Sequence, residues 1–494
     1  MMGLEANIHA PCRSAERPVL TPSALRIAGR DVPPVFAVDL VGEGDDRRLE
    51  VVQVLRVLPG RRVVGRALWQ GRTVLAKLFV GAEGAANRQA ASAETEGLQR
   101  MHSAGVPSPE VIHATGLAGD GCAVLLEYLD SAQTMAAAWS DAPEDRLAMF
   151  ERLETLLSIV GRLHAAGYGH ADLHLGNVLL AGGRSYLIDG DAVQAFPADA
   201  GARAKAQLAN LALCLVQLPL WTVPWWAQGL KVYAAAGAAV PAREALDVAV
   251  RLARGRRLRR FLSKTGRDCS EFSIERRLSR VVGCVRVLRE TLLPLLGAPD
   301  AWVAQGTMLK DGGTCTVVRA MAGNLDCVVK RYNLKNLRHA LSRSWRPSRA
   351  WHSWRAGHLL RHLGVATPEP LAVLEERFGP LRRRAFLVTR HCPGRSLLEQ
   401  LDAGREPNRE EAAALLELFS ALHSMRIEHG DLKATNLLWL DGQIWVIDLD
   451  AMHRHASTTS YLRAWRRDRR RFLANWPEGA VLRCWLETNL PPVG

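Results

Sequence analysis

A pattern of five polar residues occurs twice in this 494-residue chain, and every member of the second copy lies 259 residues after its counterpart. The first copy consists of His170, Asp172, Asn177, Asp189 and Asp191. The second copy consists of His429, Asp431, Asn436, Asp448 and Asp450. A spacing this constant indicates that a whole domain is repeated. The chain is also too long for one ordinary hydrophobic core, so we expect two large domains.

The hydrophobic pattern before each copy predicts a small lobe of strands and one helix, followed by a helical lobe. Strand-like runs in the first half are LEVVQVLRVL, RRVVGRALW and RTVLAKLF, and TMLKDGGTCTVVRAMAGNLDCVVKRYN repeats their character later. Such runs, broken by Gly and Pro, favour antiparallel hairpins. The segment DRLAMFERLETLLSIVGRLHAAG has apolar residues at helical spacing. The predicted fold class is therefore α+β, with an antiparallel sheet and a helical lobe in each domain.

Composition and pattern divide the chain into three segments. Residues 1–45 lack periodicity and contain a Pro doublet, which predicts a loosely ordered tail or a loosely attached strand. Residues 46–295 are predicted to form the first domain, and the segment 200–295 is expected to complete its helical lobe. Residues 296–494 are predicted to form the second domain. Only 44 residues follow Asp450, so the second helical lobe is expected to be short.

The repeated residues have the spacing that phosphoryl transfer from a magnesium-bound nucleotide requires. An Asp two positions after the His accepts or orients the proton of the attacking hydroxyl, and an Asn five residues later reaches a metal ion. A second Asp, at the end of a strand, holds the metal that bridges the phosphates. We therefore predict ATP and Mg²⁺ as cofactors. The predicted catalytic residues are Asp172 and Asp431, and the predicted metal ligands are Asn177, Asp189, Asn436 and Asp448.

A lysine at the end of a predicted strand precedes the first copy. Lys77 is predicted to contact the nucleotide phosphates, as the strand lysine does in kinases. Such a lysine is steadied by an acidic residue on the following helix. Here Lys77 can pair with Glu94 or with Glu96.

The corresponding lysine of the second copy has no such partner in the sequence. Lys330 is predicted to contact nucleotide phosphates, but the position that matches Glu94 is Ser353, and no acidic residue occurs between Asp326 and Glu369. Lys330 could pair with Asp448 instead, or this domain could be impaired.

Other motifs narrow the kind of kinase. Neither lysine is preceded by G-x-G-x-x-G, so fewer loop amides are expected to hold the nucleotide phosphates. No A-P-E segment follows either metal-loop Asp, which argues against a protein substrate. The nine cysteines include no C-x-x-C pair, so we predict reduced thiols and no zinc site.

Positive charge is concentrated in the middle of the chain. The net charge is +14, and residues 251–350 alone contain 22 Lys or Arg against 7 Asp or Glu. Such a block suits an anionic partner such as a phosphate-rich lipid, a membrane surface or nucleic acid, although it can also be a solvated helix face. No recognition motif for nucleic acid accompanies it, so no nucleic-acid partner is expected.

Several stretches together resemble the bacterial lipopolysaccharide-kinase family, which includes Kdo kinases, core heptose kinases and InaA-like proteins. The stretches are RRVVGRALWQGRTVLAKLF, HADLHLGNVLLAGGRSYLIDGDA, VVKRYN, HGDLKATNLLWLDGQIWVIDLDA and RRDRRRFLANW. The resemblance covers most of residues 50–480 in two copies, and the I-D-x-D ending fits this group better than protein kinases. It implies two protein-kinase-like bilobal domains in tandem.

The resemblance also implies a substrate and a location. The expected reaction is ATP-dependent phosphorylation of a sugar hydroxyl on the lipopolysaccharide inner core. The expected partners are the core–lipid A molecule and, through the basic surface, the cytoplasmic face of the inner membrane. Clustered Lys and Arg suit the phosphates and carboxylates of such a substrate. The chain has no apolar window of about 18 residues and no apolar signal segment at its start, so a cytoplasmic, peripheral protein is expected.

Two alternatives remain open at this stage. The first is a small-molecule kinase of the aminoglycoside or choline type, which shares H-G-D-L-x-x-x-N. Those enzymes usually bind cationic acceptors in acidic pockets, and the basic block of this chain speaks against that. The second is a nucleotide-binding pseudokinase scaffold in envelope biogenesis, which the missing helix glutamate favours for the second domain only.

Overall fold

The computed structural model describes residues 17–42, 47–141, 145–333, 348–379 and 381–493. Contacts within the chain define two compact units. The first unit contains Met1–Leu218 and Pro224–Ala253, and the second contains Pro219–Val223 and Arg254–Gly494. Each unit combines an antiparallel sheet with helices, as the predicted fold class requires.

The first unit has a six-stranded antiparallel sheet at its centre, in the order β1-β2-β3-β4-β6-β5. Its strands are β1 Phe36–Asp39, β2 Arg48–Leu58, β3 Arg62–Trp69, β4 Arg72–Phe79, β5 Val111–Gly116 and β6 Cys122–Glu127. Five short strands follow: β7 Gln133–Thr134, β8 Tyr168–His170, β9 Val178–Ala181, β10 Arg184–Leu187 and β11 Val193–Ala195. The helices are α1 Pro22–Ala28, α2 Gly84–Ser103, α3 Met135–Asp141, α4 Arg146–Ala165, α5 Ala200–Leu215 and α6 Trp226–Ala235. Helix α7 Arg243–Lys264 begins in the first unit and continues into the second after Ala253.

Local sequence explains why the helices of this unit begin and end where they do. The side chain of Asp145 accepts a hydrogen bond from the amide of Ala148 and so caps α4. Asp199 caps α5 in the same way through the amide of Ala202. After α2, Gly105 has a φ of 67°, a left-handed conformation that glycine adopts without strain and that ends the helix. These ends fix where the loops of the candidate site enter.

The second unit contains a seven-stranded antiparallel sheet in the order β12-β13-β17-β18-β16-β15-β14. Its strands are β12 Phe272–Arg276, β13 Arg280–Val285, β14 Thr307–Gly312, β15 Cys315–Ala322, β16 Leu325–Tyr332, β17 Pro370–Phe378 and β18 Leu381–Arg390. Shorter strands are β19 Arg395–Ser396, β20 Ile427–Glu428, β21 Leu437–Leu440, β22 Gln443–Val446 and β23 His453–Arg454. The helices are α8 Arg289–Gly297, α9 Pro299–Gln305, α10 Arg349–His362, α11 Leu397–Gln400, α12 Arg409–Ser424, α13 Thr458–Leu473 and α14 Val481–Asn489.

Residues 200–295 were predicted to be helical, which is wrong for β12 Phe272–Arg276 and β13 Arg280–Val285. Strands β12 and β13 form a hairpin in the sheet of the second unit, and β13 pairs with β17 about ninety residues later. The first unit accordingly ends at Ala253 and the second continues from Arg254, whereas the sequence placed the domain boundary after residue 295. The partner strand is distant in the chain, so the local pattern of this arginine-rich segment could not reveal it.

Residues 1–45 were predicted to be a loosely ordered tail or a loosely attached strand, and their described part contains a strand. Residues 1–16 and 43–46 lie outside the described part of the chain. Strand β1, however, pairs along its whole length with β2, and Phe36, Ala37 and Val38 are almost completely buried. This segment is an edge strand that completes the hydrophobic core of the first sheet, in which Phe36 and Val38 pack with Leu49 and Val51.

Truncating Phe36 is expected to destabilise the first unit. Phe36→Ala removes a fully buried aromatic ring and should cost about 3–5 kcal/mol. Val35→Ala is the control, since Val35 is 37% exposed and should cost less than about 0.5 kcal/mol. Native-state hydrogen exchange of peptides from β2 measures both free energies of opening. Equal effects of the two substitutions would show that β1 is not part of the core.

Candidate active site

In the first unit, three elements bring a buried lysine together with two carboxylates. Lys77 lies on β4, and its Nζ donates to Glu94 Oε1 of α2 at 2.8 Å and to Asp189 Oδ1 after β10 at 2.7 Å. Lys77 is 4% exposed and Glu94 is fully buried. The other candidate partner, Glu96, instead pairs with Arg100 on the exposed side of the helix. The structure therefore brings together Lys77, Glu94 and Asp189.

Electrostatics keep Lys77 and Asp189 charged. Burial alone would lower the pKa of Lys77, but the carboxylates of Glu94 and Asp189 outweigh it and raise the pKa above its usual value. Burial would likewise raise the pKa of Asp189, yet the Lys77 ammonium holds that pKa below its usual value. Lys77 is thus a fixed cation, as a phosphate-binding lysine must be.

A pair of glycines allows α2 to touch the turn that carries Asp189. A Cβ on Gly97 would lie 1.8 Å from the carbonyl oxygen of Gly190, and a Cβ on Gly190 would lie 2.2 Å from the carbonyl oxygen of Glu94. This close approach lets Glu94 accept a hydrogen bond from the amide of Gly190 at 3.2 Å. Glu94 therefore fixes both the lysine and the turn.

Hydrogen bonds to backbone carbonyl oxygens hold the loop that carries the candidate base Asp172. The Nδ2 of Asn177 donates to the carbonyl oxygen of Asp172 at 3.0 Å, and Nε2 of His170 lies 3.0 Å from the carbonyl oxygen of Ile188. The side chain of Asp172 is 73% exposed, and its nearest ionic neighbour is His174 at 3.5 Å. Backbone contacts thus position Asp172 while its carboxylate stays open to solvent.

The second unit repeats the lysine and the metal-loop aspartate but changes the partner. Lys330 on β16 donates to Asp448 Oδ1 at 2.6 Å and to Asp450 Oδ2 at 2.9 Å. The predicted contact with Asp448 is present, and Asp450 adds a second carboxylate. Ser353 does not contact Lys330; its hydroxyl donates to Asp450 Oδ1 at 2.7 Å.

The candidate base of the second unit has cationic neighbours. Asp431 pairs with Lys433 at 3.0 Å and with Arg471 of α13 at 2.8 Å. Partial burial would raise the pKa of Asp431, but Lys433 and Arg471 hold it below its usual value. Nδ2 of Asn436 donates to the carbonyl oxygen of Asp431 at 2.9 Å, as Asn177 does in the first unit.

Two residues that anchor these loops were missed by the sequence analysis. Asp468 of α13 is buried and accepts hydrogen bonds from the amides of His429 at 2.7 Å and Gly430 at 3.1 Å. Asn210 of α5 has the same place in the first unit, where it accepts from the amide of His170 and donates to its carbonyl oxygen. A polar residue on the buried face of each helix was the available signal.

The second unit has a cleft of about 450 Å³ around Lys330. Apolar side chains of the sheet line one part of it, including Val317, Val328 and Leu387. Asn436, Asp448 and Asp450 line the polar part. An apolar cleft with a few convergent polar groups is typical of a nucleotide or cofactor site.

The donor atoms suit a hard cation such as Mg²⁺. Asp189 and Asp448 each use Oδ1 for a lysine, and among the described residues Oδ2 has no hydrogen-bond or ion-pair partner. Asn177 and Asn436 use their Nδ2 atoms for backbone contacts, which leaves their amide oxygens as ligands. Oxygen atoms of carboxylates and amides are the ligands that Mg²⁺ prefers.

No helix in the described ranges is both long and apolar enough to cross a membrane. Basic residues nevertheless continue beyond the predicted block. Helix α13 carries six arginines and one aspartate, and the sequence analysis overlooked its charge.

Sequence comparisons relate this chain to known proteins. The sequence model of the Lipopolysaccharide kinase (Kdo/WaaP) family matches residues 37–218 and again 300–470. Two curated relatives, the 3-deoxy-D-manno-octulosonic acid kinases of Xylella fastidiosa strains M12 and 9a5c, are each 30% identical over 173 residues. Each match covers 31% of this chain and 64% of the relative, so it spans less than two thirds of the relative's length.

Two solved structures are also similar. WaaP in complex with acyl carrier protein has a TM-score of 0.30 at 21% identity, covering 41% of this chain and 86% of that one. Vaccinia related kinase 3 has a TM-score of 0.29 at 11% identity, covering 50% of this chain and 81% of that one.

A methyl group at Gly97 is expected to separate α2 from the metal-loop turn. The Cβ of Gly97→Ala would lie 1.8 Å from the carbonyl oxygen of Gly190, so helix and turn must move apart. The hydrogen bond that the Gly190 amide donates to Glu94 should then break. Amide exchange of Gly190 should accelerate about tenfold or more, since about 1.4 kcal/mol of protection is lost. Gly84→Ala on the same helix is the control, because its Cβ would meet nothing closer than 3.5 Å. Unchanged exchange in Gly97→Ala would contradict the proposed coupling.

Proposed function

Because the chain belongs to the lipopolysaccharide kinase (Kdo/WaaP) family, we propose that it transfers phosphate from ATP to a sugar hydroxyl of the lipopolysaccharide inner core. The observation that carries this proposal is the buried contact of Lys77 with Glu94 and Asp189 beside the loop of Asp172. Burying a charged lysine between two carboxylates carries a desolvation penalty that an apolar side chain would avoid. Packing alone therefore does not explain this arrangement.

The residues of the first unit divide the work of the reaction among them. Lys77, oriented by Glu94, would bind the phosphates of the nucleotide, and the exposed carboxylate of Asp172 would accept the proton of the sugar hydroxyl. Asn177 and Asp189 would hold the magnesium ion, which would neutralise charge on the transferred phosphate. Asp172 is the better candidate base because its carboxylate is mostly exposed and, among the described residues, forms no ion pair with a Lys or Arg side chain.

In the second unit the corresponding roles fall to Asp431, Lys330, Asn436 and Asp448. The cleft around Lys330 supports nucleotide binding there. The ion pairs of Asp431 with Lys433 and Arg471 lower its basicity, so proton acceptance would be slower than in the first unit. We therefore propose two nucleotide sites of unequal activity.

The acceptor is proposed from charge and from the relatives. The two curated relatives are named as kinases of 3-deoxy-D-manno-octulosonic acid, a sugar acid. Exposed arginines on α7 and α13 provide cations for phosphates and carboxylates, and Arg binds such groups by two parallel hydrogen bonds. This chemistry also favours an anionic substrate at the cytoplasmic face of the inner membrane over a cationic small molecule.

Loss of both candidate bases is expected to abolish phosphorylation of the core. In a strain lacking the protein, Asp172→Ala with Asp431→Ala should leave the core about 80 Da lighter per missing phosphate, as mass spectrometry of the lipopolysaccharide measures. Asp172→Ala alone should reduce the rate about 10²- to 10⁴-fold, the usual contribution of a general base. Asp431→Ala alone should have the smaller effect.

A matched control removes a carboxylate outside the candidate sites. Asp247→Asn changes a half-exposed residue that pairs with Arg243 on α7, and normal phosphorylation is expected. If the double variant restored the normal core phosphate content, neither Asp172 nor Asp431 would be the required base. If the strain lacking the protein kept a normal core phosphate content, the chain would not be the kinase of this substrate.

Arginines on α7 are expected to contribute to membrane binding. Arg256 and Arg260 are exposed and lie one turn apart, so they share a face of the helix. Each arginine near an anionic surface contributes about 1 kcal/mol, so Arg256→Ala with Arg260→Ala should weaken binding to anionic vesicles about thirtyfold. Arg56→Ala with Arg72→Ala, two exposed residues of the first sheet, is the control. Equal loss in both pairs, measured by vesicle sedimentation, would exclude a specific basic face.

A further inference from the structure

The second carboxylate on Lys330 is held more firmly than an incidental contact requires. The side chain of Asp450 is 10% exposed and, besides Lys330, binds three donors. The hydroxyl of Tyr332 donates to Oδ1 at 2.6 Å, that of Ser353 to Oδ1 at 2.7 Å, and the guanidinium of Arg349 to Oδ2 at 2.9 Å. The donors come from β16 and from α10, so Asp450 ties the lysine strand to the helix.

In the first unit a different residue makes that connection. Glu94 lies on α2 eleven residues before the left-handed Gly105, and Ser353 lies on α10 eleven residues before the left-handed Gly364. The two positions are therefore equivalent. Asp191, the counterpart of Asp450, does not contact Lys77 and pairs with Arg62 instead.

The packing of helix against turn explains the difference. The residues that match Gly97 and Gly190 are Ala356 and Leu449, and both are buried. Both belong to one cluster of packed apolar side chains, and Cδ1 of Leu449 lies 3.7 Å from where a Cβ on Gly357 of α10 would be. Side chains therefore separate helix and turn here, where the first unit has direct backbone contact. With side chains between helix and turn, a carboxylate on the turn side reaches the lysine, and the short hydroxyl of Ser353 leaves room for it.

We propose that Asp450 replaces the helix glutamate as the positioning residue of Lys330, which keeps the second unit competent to bind a magnesium-bound nucleoside triphosphate. This inference rests on the proposed nucleotide site of the second unit. The ion-pair arrangement is not lost with the glutamate but moved from α10 to the turn after β22. Ser353 then acts as a donor to Asp450.

The test uses the full chain with the first site disabled by Lys77→Met and Asp189→Asn. Calorimetric titration with MgATP should still show binding by this parent protein. Adding Asp450→Asn removes a carboxylate from a buried ion pair and should weaken binding about tenfold or more. Adding Ser353→Glu to Asp450→Asn places a carboxylate at the position of Glu94 and should restore affinity to within about threefold of the parent.

Ser353→Gln with Asp450→Asn is the matched control, since it has the size of glutamate without the charge, and it should not restore binding. If Asp450→Asn fails to fold, the Ser353→Glu double variant decides the question by recovering both fold and binding, or by failing to. No binding by the parent, unchanged binding in Asp450→Asn, or equal rescue by glutamine would overturn the inference. No acceptor is present, so failure to phosphorylate lipopolysaccharide would refute the proposed function without affecting this result.

Discussion

A buried lysine ammonium group is the constraint around which each unit is arranged. Taking an ammonium ion out of water costs several kcal/mol, and only carboxylates in good geometry offset that cost. Lys77 and Lys330 each lie between two carboxylates at 2.6–2.9 Å. In the first unit the strand that carries the lysine, the following helix and the turn with Asp189 must therefore meet at one point, whereas in the second unit the strand must meet the turn with Asp448 and Asp450.

The two units satisfy this constraint with different residues. In the first, glycines at 97 and 190 bring the helix against the turn, and Glu94 serves the lysine and the turn amide together. In the second, Ala356 and Leu449 fill that contact, and the second carboxylate comes from Asp450 on the turn. The loss of the close backbone contact and the change in the residue that supplies the second carboxylate thus accompany each other.

The sequence predicted those features that depend on local spacing. Strands and helices were predictable from short hydrophobic periods, and the loop motifs from fixed spacings between residues. These signals were enough for the repeat, the family, the α+β class and the contact between Lys77 and Glu94. It did not predict features that depend on distant partners. The hairpin of β12 and β13 pairs with residues about ninety positions later, and β1 is recognisable only through its buried contacts in the sheet. The pairing of Lys330 with Asp448 could be proposed from the motif, but the contact with Asp450 was missed because the motif does not show how many of the two carboxylates reach the lysine.

The loops that carry the candidate bases show how a repeat can keep its geometry and change its chemistry. Both loops are anchored from a helix below, by Asn210 in one unit and by Asp468 in the other. The neutral amide of Asn210 adds no charge to its loop, and among the described residues Asp172 has a contact with His174 but no ion pair with Lys or Arg. In the other unit, burial raises the pKa of Asp468, while Lys433 and Arg471 surround Asp431 with positive charge. Because a general base must be able to gain a proton, cations beside Asp431 disfavour that step, whereas the same cations favour an anionic ligand. The electrostatics of the second loop therefore disfavour proton acceptance by Asp431 and favour an anionic ligand beside it.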